Sequence, residues 1–404
     1  MPATRFEPAP AQAEAPQPKR LRVAMVTNFA PHYRVKMFEA LAALTDLECF
    51  FHSDGGEWYW QKAHGVNTGG FRARYLPGFW LGGARVVPTL LAELLRAPRF
   101  DAVVKCINDR FALPVTYLAA SLRRAPFILW TGVWCRIGTP SQRLLFPLTR
   151  YLYRHAGAIV AYGEHVRQYL IGEGVPAERI FLAPQAVDNG FDRRAVPLAE
   201  QLALRASLEI PEAAKVVLYL GRLEPIKGIE TLIEAFASLR GEDAVLVLCG
   251  TGSLEGALRN IAAARGIAPR VRFAGYVAPA DAVAYYSIAW IGVLPSVTMP
   301  TGRETWGLVI NEAFNQGVPM IATTAVGAAA GGLVRHGVNG FVVPEGDPRA
   351  IGAALERILP DAQLRHELGR AARRDVLEWN HQRQAEGFRA AVEYALDRTN
   401  RGSK

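Results

Sequence analysis

The chain has 404 residues, 50% of them apolar, and a formal net charge of +9 at pH 7. This length allows two domains with cores of their own, and the absence of any run of eighteen apolar residues argues against a transmembrane helix. Residues 1–190 hold 22 Lys and Arg against 14 Asp and Glu, a net +8, whereas the remainder carries +1. A basic first half favours an anionic membrane surface or a phosphorylated lipid as partner over nucleic acid, for which no motif is present; a plain solvated surface is the alternative.

The first eighteen residues are rich in Ala, Pro, Gln and Glu and lack the apolar core of a signal peptide, so we expect a disordered tail. The four cysteines show no metal-ligand spacing and predict reduced thiols. Together these features predict a cytoplasmic protein, at most peripheral at the inner face of the membrane. The cysteines are Cys49, Cys106, Cys135 and Cys249.

Apolar runs and helical patterns alternate along the first half of the chain. The run at 19–28 is typical of a first buried parallel strand, and Pro31 is well placed near the start of the helix that follows. Residues 52–80 are predicted to be a loop. The further predicted elements are strands at 47–51, 102–107, 126–131 and 158–161 and helices at 87–96, 114–123 and 164–172.

A second alternation begins after Asp188, with a linker and helix at 191–209. Its predicted strands lie at 215–220, 244–249, 271–274, 290–294, 320–322 and 340–343. Strands alternating with helices predict an α/β fold of two Rossmann-like, doubly wound parallel-sheet domains facing across a cleft. The expected parts are a tail at 1–18, a first domain at 19–190, a second domain at 191–375 and a C-terminal helix at 376–404.

The stretch ETWGLVINEAFNQGVP, at 304–319, combines a loop acid, a short helix and a glycine–proline exit into a strand. Four of its apolar residues have the i, i+3, i+4, i+7 spacing of a buried helical stripe, and Gly317 predicts the end of the helix. The stripe consists of Trp306, Val309, Ile310 and Ala313.

Two glutamates in this stretch flank a predicted anion-binding position. Free N–H groups at the start of the helix, near Trp306, Gly307 and Leu308, can bind an anion. Glu304 and Glu312 are eight positions apart, so one can lie beside this position and the other about a turn deeper. This arrangement suits a ligand with a phosphate in its middle and hydroxyls at both ends.

A turn with two cations follows the predicted strand 215–220. Gly221 lets the backbone approach a ligand, and Arg222 and Lys227, five residues apart, can lie on either side of a diphosphate. The alternative, a basic helix entrance without a ligand, is unusual because cations oppose the helix dipole there. We expect both side chains to be exposed in the empty cleft.

Gly250, Gly252 and Gly256 imitate a dinucleotide-binding fingerprint between a strand and a helix. That fingerprint requires an acid roughly twenty residues later, and this chain has Tyr276 and Val277 after its next strand. The sequence therefore argues against a nicotinamide site.

The E-x7-E pattern leading into EAFNQGVPMIAT is similar to the donor-binding signature of retaining, GT-B fold glycosyltransferases of family 4. The resemblance covers nearly the whole chain and is densest at 221–344. It implies an acceptor-binding first domain, a nucleotide-sugar-binding second domain and a last helix, at 376–395, that crosses back to the first domain. It also implies a UDP- or GDP-linked sugar donor, a glycan or lipid-linked acceptor in bacterial surface polysaccharide synthesis, and no cofactor.

The resemblance also assigns roles to single residues. Arg222 and Lys227 would stabilise the leaving diphosphate, Glu304 would contact the donor sugar, and Glu312 would hold the ribose hydroxyls. A surface salt-bridge acid is the alternative for either glutamate. The glycine turn at Gly250 and Gly252 would line the nucleotide pocket, with Tyr276 and Val277 facing the base.

Two departures from the family pattern concern the first domain. The loop APHYR at 30–34 replaces a glycine-rich loop and resembles a P-x-Y-R branch of the family, which makes His32 and Arg34 acceptor or phosphate contacts; a histidine in a surface loop is the alternative. The family histidine near the reacting carbon is replaced by Thr131, Gly132 and Val133, so another group must contact the sugar.

The chain has no Asp-x-Asp metal signature, which is consistent with charge neutralisation by Arg, Lys and a helix N-terminus. No convincing nucleophile is present, so the resemblance implies retention through departure and attack on the same face of the sugar. A sugar-nucleotide epimerase of GT-B shape and a non-catalytic nucleotide-sugar binding protein are the competing hypotheses.

The aromatic residues at 58–60 and 79–80 lie in a chain half with a basic balance. They predict either a membrane-docking patch or rings that are buried or stack on an acceptor sugar.

Overall fold

The computed structural model describes residues 20–53, 70–81, 84–239 and 243–402. Within these ranges the chain forms two parallel sheets, each with helices on both of its faces, and one small antiparallel hairpin. None of the helices in the described part of the chain combines the length and the apolarity needed to span a bilayer. The predicted α/β class, with two doubly wound parallel sheets, is confirmed.

The first sheet has the strand order β3-β2-β1-β6-β7-β8-β9, with every neighbouring pair parallel. Its inner strands are almost entirely buried, as expected of apolar strands covered on both faces. Strands β4 and β5 pair with each other as the antiparallel hairpin. The bounds are β1 Arg22–Thr27, β2 Asp46–Phe51, β3 Arg72–Tyr75, β4 Phe79–Leu81, β5 Ala84–Val86, β6 Ala102–Cys106, β7 Phe127–Thr131, β8 Ala158–Ala161 and β9 Ile180–Leu182.

The second sheet has the order β12-β11-β10-β13-β14-β15 and is also parallel. Its strand order reverses between β10 and β13, as that of the first sheet does between β1 and β6. Ligands of open α/β sheets bind outside the carboxyl ends of the strands at such switch points. The bounds are β10 Lys215–Leu220, β11 Ala244–Cys249, β12 Val271–Gly275, β13 Ile291–Leu294, β14 Met320–Thr323 and β15 Gly340–Val343.

Local chemistry marks where several helices begin. The carboxylate of Asp347 accepts hydrogen bonds from the first N–H groups of α13, whose N1 position is Pro348, and Asp361 caps α14 in the same way. The helices are α1 His32–Leu44, α2 Leu90–Arg96, α3 Ala112–Leu122, α4 Pro140–His155, α5 Glu164–Gly172, α6 Asn189–Asp192, α7 Leu198–Ser207, α8 Ile229–Ala237, α9 Glu255–Ala264, α10 Ala282–Ser287, α11 Val309–Asn315, α12 Gly327–Ala330, α13 Pro348–Ile358, α14 Ala362–Asp375 and α15 His381–Gly402.

The last helix, α15, packs on the first sheet. Phe388 meets the ring of Trp130 edge-on at 5.1 Å between centroids, and Tyr394 contacts Phe181 at 5.3 Å. A short 3-10 turn, Val376–Glu378, precedes the helix, so the stretch predicted as a single helix at 376–395 is two elements.

The prediction of a continuous loop at 52–80 is wrong, because β3 and β4 lie within it. Strand β3 has the sequence RARY and lies at the sheet edge, where three of its four side chains are exposed. It is stabilised by ion pairs across the sheet, from Arg72 to Asp46 and from Arg74 to Glu48. An edge strand held by charged side chains has no apolar run by which it could be recognised. The aromatic residues 58–60 lie outside the described residues.

Candidate active site

Two glycine turns pack against each other at the carboxyl ends of β10 and β11. A side chain at Gly250 would place its Cβ 1.9 Å from the carbonyl oxygen of Gly221, and one at Gly252 would come within 2.3 Å of the carbonyl oxygen of Leu223. The Gly250 N–H donates to the Gly275 carbonyl at 2.6 Å. Bare backbone is therefore required here to bring the ends of three strands together, whether or not a ligand also approaches.

Lys227 and Glu304 form an ion pair across this part of the site. The ammonium of Lys227 donates to Glu304 Oε2, and the Ser296 hydroxyl lies 3.4 Å from the same oxygen. The two side chains are only 13% and 16% exposed. The expectation that Lys227 is exposed in the cleft is therefore wrong, because its charge is paired with the acid.

The electrostatics favour an ionised Glu304. Burial raises its pKa, but Lys227, Arg222 and Ser296 together outweigh burial and leave the pKa below its usual range. Arg222 itself is exposed, and its backbone carbonyl accepts a hydrogen bond from the Tyr219 hydroxyl at 2.6 Å. The three predicted catalytic residues thus lie in one cluster, with two cations around one carboxylate.

Helix α11 begins at Val309, whereas the predicted apolar stripe requires a helix that already includes Trp306. Gly307 has a φ of 97°, and a Cβ there would lie 2.6 Å from the Leu294 side chain, so the helix cannot extend back through it. Trp306 is buried from the preceding turn, and its indole N–H donates to Asn311 Oδ1 at 2.8 Å. The predicted end is confirmed, since Gly317 has a φ of 67° just after the helix.

Glu312 lies in an acidic group beside the segment that joins the two sheets. Its Oε2 accepts a hydrogen bond from the Tyr286 hydroxyl at 2.7 Å. Burial raises the pKa of Glu312, and the hydrogen bond from Tyr286 opposes that shift. Burial, then Glu312 and Asp188, raise the pKa of Asp192 to about 7, although Arg194 acts in the opposite direction. This site already binds one hydroxyl and can hold a proton near neutral pH.

Three side-chain amides of the Glu312 helix and its end bind the joining segment at 185–194. Asn311 donates to the Gln185 carbonyl at 3.1 Å, and Asn315 donates to Asn189 Oδ1 at 2.8 Å. Gln316 donates to the carbonyls of Asp192 and Arg194. These contacts were not predicted, although the pattern N-x3-N-Q at 311–316, on α11 and at its end, is a sequence signal for them.

Residues of the first sheet also contact the loop that carries Glu304. The Trp134 indole donates to the Glu304 carbonyl at 3.0 Å, and His165 Nε2 lies 3.3 Å from the Thr305 carbonyl. Burial lowers the pKa of His165 to about 4, against the effect of its hydrogen bond, so the ring is neutral at pH 7. Both residues follow strands of the first sheet, which is the available sequence signal, yet neither was predicted.

The segment that replaces the family histidine is shaped by packing. A Cβ at Gly132 would lie 2.5 Å from the Tyr162 ring. The Thr131 hydroxyl accepts from the Val133 N–H at 3.1 Å, and Thr131 is fully buried.

Arg34 and Lys105 bring two cations to the carboxyl edge of the first sheet. The Arg34 guanidinium lies 4.5 Å from the Trp130 ring and donates to the Tyr162 hydroxyl at 3.0 Å. The ammonium of Lys105 is fully buried and donates to the Cys106 carbonyl and to two oxygens of Asn108. Burial lowers the pKa of Lys105 to about 8.

His52 and Asp109 lie beside Lys105. Their Nδ1 and Oδ2 atoms are 3.4 Å apart, and Asp109 has the strained φ of 74°. Burial, with Lys105 and Arg85, holds the pKa of His52 well below its usual range. Lys105 was missed because it lies inside an apolar run, AVVKC.

Family similarity accounts for both halves of the molecule. Residues 200–375 match the glycosyl transferases group 1 family, and residues 13–186 match the glycosyl transferase 4-like domain. The chain joins a group 1 glycosyltransferase domain to a glycosyltransferase 4-like domain.

Curated relatives agree with this assignment. A D-inositol 3-phosphate glycosyltransferase of Salinispora tropica is 37% identical over 197 residues, which is 45% of this chain and 39% of the relative. The lipopolysaccharide core biosynthesis glycosyltransferase LpsE of Rhizobium meliloti is 35% identical over 164 residues, 41% of this chain and 45% of the relative. The chain therefore spans less than half the length of either relative.

The crystal structure of Anabaena HepE in complex with UDP has a TM-score of 0.75 to this chain at 20% identity, over 92% of this chain and 100% of HepE. At that level of identity the likeness establishes the fold, which is GT-B.

The predicted residues of the group 1 domain follow the carboxyl ends of its strands, except Glu312, which lies within α11. Exposed Tyr276 and half-buried Val277 follow β12, next to the Gly250 turn. In the 4-like domain, His32 is the exposed first residue of α1, and Arg34 lies two residues further into the same helix.

Proposed function

We propose that this protein is a retaining glycosyltransferase that moves a sugar from a UDP- or GDP-linked donor to a glycan or lipid-linked acceptor. The observation that carries the proposal is the Arg222–Lys227–Glu304 cluster at the switch point of the second sheet. Anabaena HepE, which shares the fold, has been crystallised with UDP and with UDP-glucose.

The cluster supplies what departure of a nucleoside diphosphate requires. Negative charge grows on the leaving phosphate as the sugar–oxygen bond breaks, and preorganised cations stabilise that charge. Arg222 is exposed, and Lys227 is held in place by Glu304. Ionised Glu304 then accepts hydrogen bonds from hydroxyls of the donor sugar, and no bound metal takes part in the proposed mechanism.

In the proposed mechanism the nucleoside diphosphate leaves from, and the acceptor oxygen attacks, the same face of the sugar. The configuration of the anomeric carbon is therefore retained. The bond between the anomeric carbon and the phosphate oxygen breaks, and a bond from the acceptor oxygen to that carbon forms. The acceptor proton passes to the departing phosphate oxygen, so no protein nucleophile is needed. Glu312 holds the ribose hydroxyls, displacing or sharing the hydroxyl of Tyr286.

The acceptor is proposed to bind the 4-like domain, near Arg34 and Lys105. Two relatives are named for an inositol phosphate acceptor and for lipopolysaccharide core synthesis. We therefore place the enzyme in bacterial surface polysaccharide synthesis, in the cytoplasm at the inner face of the membrane.

A panel of UDP- and GDP-linked sugars tests this function, with nucleoside diphosphate release measured in the absence of acceptor. A transferase hydrolyses its own donor slowly, and Arg222→Ala should lower the release by roughly 10²–10³. An epimerase would instead change the donor sugar without an acceptor, and a non-catalytic binding protein would bind a donor and release nothing; either result refutes the proposal.

A further inference from the structure

The region of α3 and α4 has an unusual charge composition. Residues 110–163 contain seven arginines and not a single Asp or Glu. The segment includes α3 and α4, which are adjacent: the Tyr117 and Tyr151 rings meet edge-on at 6.0 Å, and Arg110 donates to the Ser141 hydroxyl at 2.9 Å. Helix α3 carries no charged residue at all.

The same two helices expose large apolar side chains, which together we name the α3–α4 face. On α4, Leu144 is 81% exposed, and Leu148 and Tyr151 are also exposed at helical spacing. On α3, Leu122 is 61% exposed and Leu118 is also exposed. Apolar side chains gathered on one surface of a folded protein mark an interaction site more often than scattered ones do.

The α3–α4 face reaches the rim of the cleft. Helix α4 begins at Pro140, and just before it the Gly138 N–H donates to the Pro300 carbonyl of the group 1 domain at 2.7 Å. Leu144 is one turn into α4. A surface bound here therefore lies close to the opening between the two domains.

Charge decides among the partners that an apolar surface can take. In a two-fold dimer the same patch meets itself, so Arg143 and Arg154 would face arginines with no acid of the segment to pair with them. Nucleic acid would leave the exposed leucines without apolar contacts. An anionic bilayer satisfies both features, because leucine and tyrosine enter the headgroup boundary while arginine meets lipid phosphates.

We propose that the α3–α4 face docks the protein on an anionic lipid bilayer. The inference rests on the membrane location in the proposed function, but vesicle binding requires no catalysis. It places the contact on residues other than the aromatic ones predicted from the sequence, of which Phe79 and Trp80 lie exposed on the β4–β5 hairpin. Docking this rim would bring a lipid-linked acceptor to the opening of the cleft.

Sedimentation of the full chain with vesicles tests the inference. Phosphatidylcholine vesicles are compared with vesicles that also contain phosphatidylglycerol, at low and at high salt. Binding should require the anionic lipid and weaken as salt is added. At 0.1 M ionic strength, attraction between exposed charges is largely screened beyond about 10 Å. The double variant Leu144→Gln, Leu148→Gln should bind the anionic vesicles at least about tenfold more weakly, because it removes two exposed apolar side chains.

The control pair is Leu198→Gln with Leu202→Gln, two exposed leucines at the same i, i+4 spacing on α7 of the group 1 domain. It should bind vesicles as the unchanged chain does, and the circular dichroism spectrum and urea unfolding of every variant check its folding. The inference is overturned if the unchanged chain stays in the supernatant, or if loss follows Phe79→Ala with Trp80→Ala instead. It is equally overturned if Leu144→Gln, Leu148→Gln disrupts a dimer in ultracentrifugation but leaves vesicle binding intact. Donor hydrolysis without vesicles tests the proposed function separately.

Discussion

Arg222 and Lys227 differ in their surroundings, and the difference predicts different costs for removing them. Arg222 is exposed, so Arg222→Ala should lower turnover by roughly 10²–10³ and leave the free energy of unfolding nearly unchanged. Lys227→Ala should lower turnover similarly and also cost about 1–3 kcal/mol of stability, because Glu304 is left partly buried without its partner. Turnover and urea unfolding of both variants measure these effects. Normal turnover in Arg222→Ala would refute its role.

The two glutamates should affect different steps. Glu312→Gln should weaken binding of the free nucleoside diphosphate, because its proposed partner is the ribose. Glu304→Gln should leave that affinity nearly intact and lower turnover, because its proposed partner is the sugar. Calorimetric titration with UDP and GDP, together with turnover, separates the two effects, and an equal loss of affinity in both variants would show that the roles are wrongly assigned.

Asp192 predicts a pH dependence of stability. Its pKa of about 7 in the folded protein lies above the usual value for an aspartate, so the folded state binds the proton more tightly than the unfolded state does. The stabilisation is complete below the unfolded pKa and is lost as the pH rises through about 7. Thermal unfolding between about pH 5 and pH 8 should therefore show a falling melting temperature that Asp192→Asn largely removes. An unchanged slope in that variant would contradict the assignment.

At the scale of elements, α11 connects the Glu312 site to the segment joining the two sheets through three amides. Gln316→Ala removes donors to two backbone carbonyls of that segment, so we expect faster proteolysis within 185–194 and a loss of about 0.5–1.5 kcal/mol. The matched control is Gln363→Ala, whose amide bonds only to Glu367 one turn away on α14. Equal protease sensitivity in the two variants would show that the amides do not restrain the segment.

Buried elements could be predicted from the sequence because their apolar runs are local. The strands at 158–161, 215–220, 244–249 and 340–343 have the predicted bounds. Strand β3 was missed because its stabilisation comes from charges on another strand, and β9 was not predicted. Helix α11 begins three residues later than predicted, because Gly307 adopts a left-handed conformation and packs against Leu294. Neither feature can be inferred from the spacing of apolar residues.

At the scale of the whole molecule, the sequence predicted candidate residues but not all their neighbours. Lys227 and Glu304 were both named, yet their pairing joins positions 77 residues apart. Trp134 and His165 reach the Glu304 loop from the other domain, across 170 and 140 residues. Periodicity in one sequence specifies elements and faces, whereas contacts between distant segments depend on how the two sheets meet.

In the proposed reaction, the Arg222–Lys227–Glu304 cluster breaks a sugar–phosphate bond with retention. Proton NMR of the purified chain with its best donor from the panel measures this most directly, because it shows the anomeric configuration of newly released sugar before mutarotation. With an α-linked donor such as UDP-glucose, the account predicts the α anomer first, and no release by Arg222→Ala. Release of the β anomer would contradict retention, and release at the same rate by Arg222→Ala would contradict the role of the cluster.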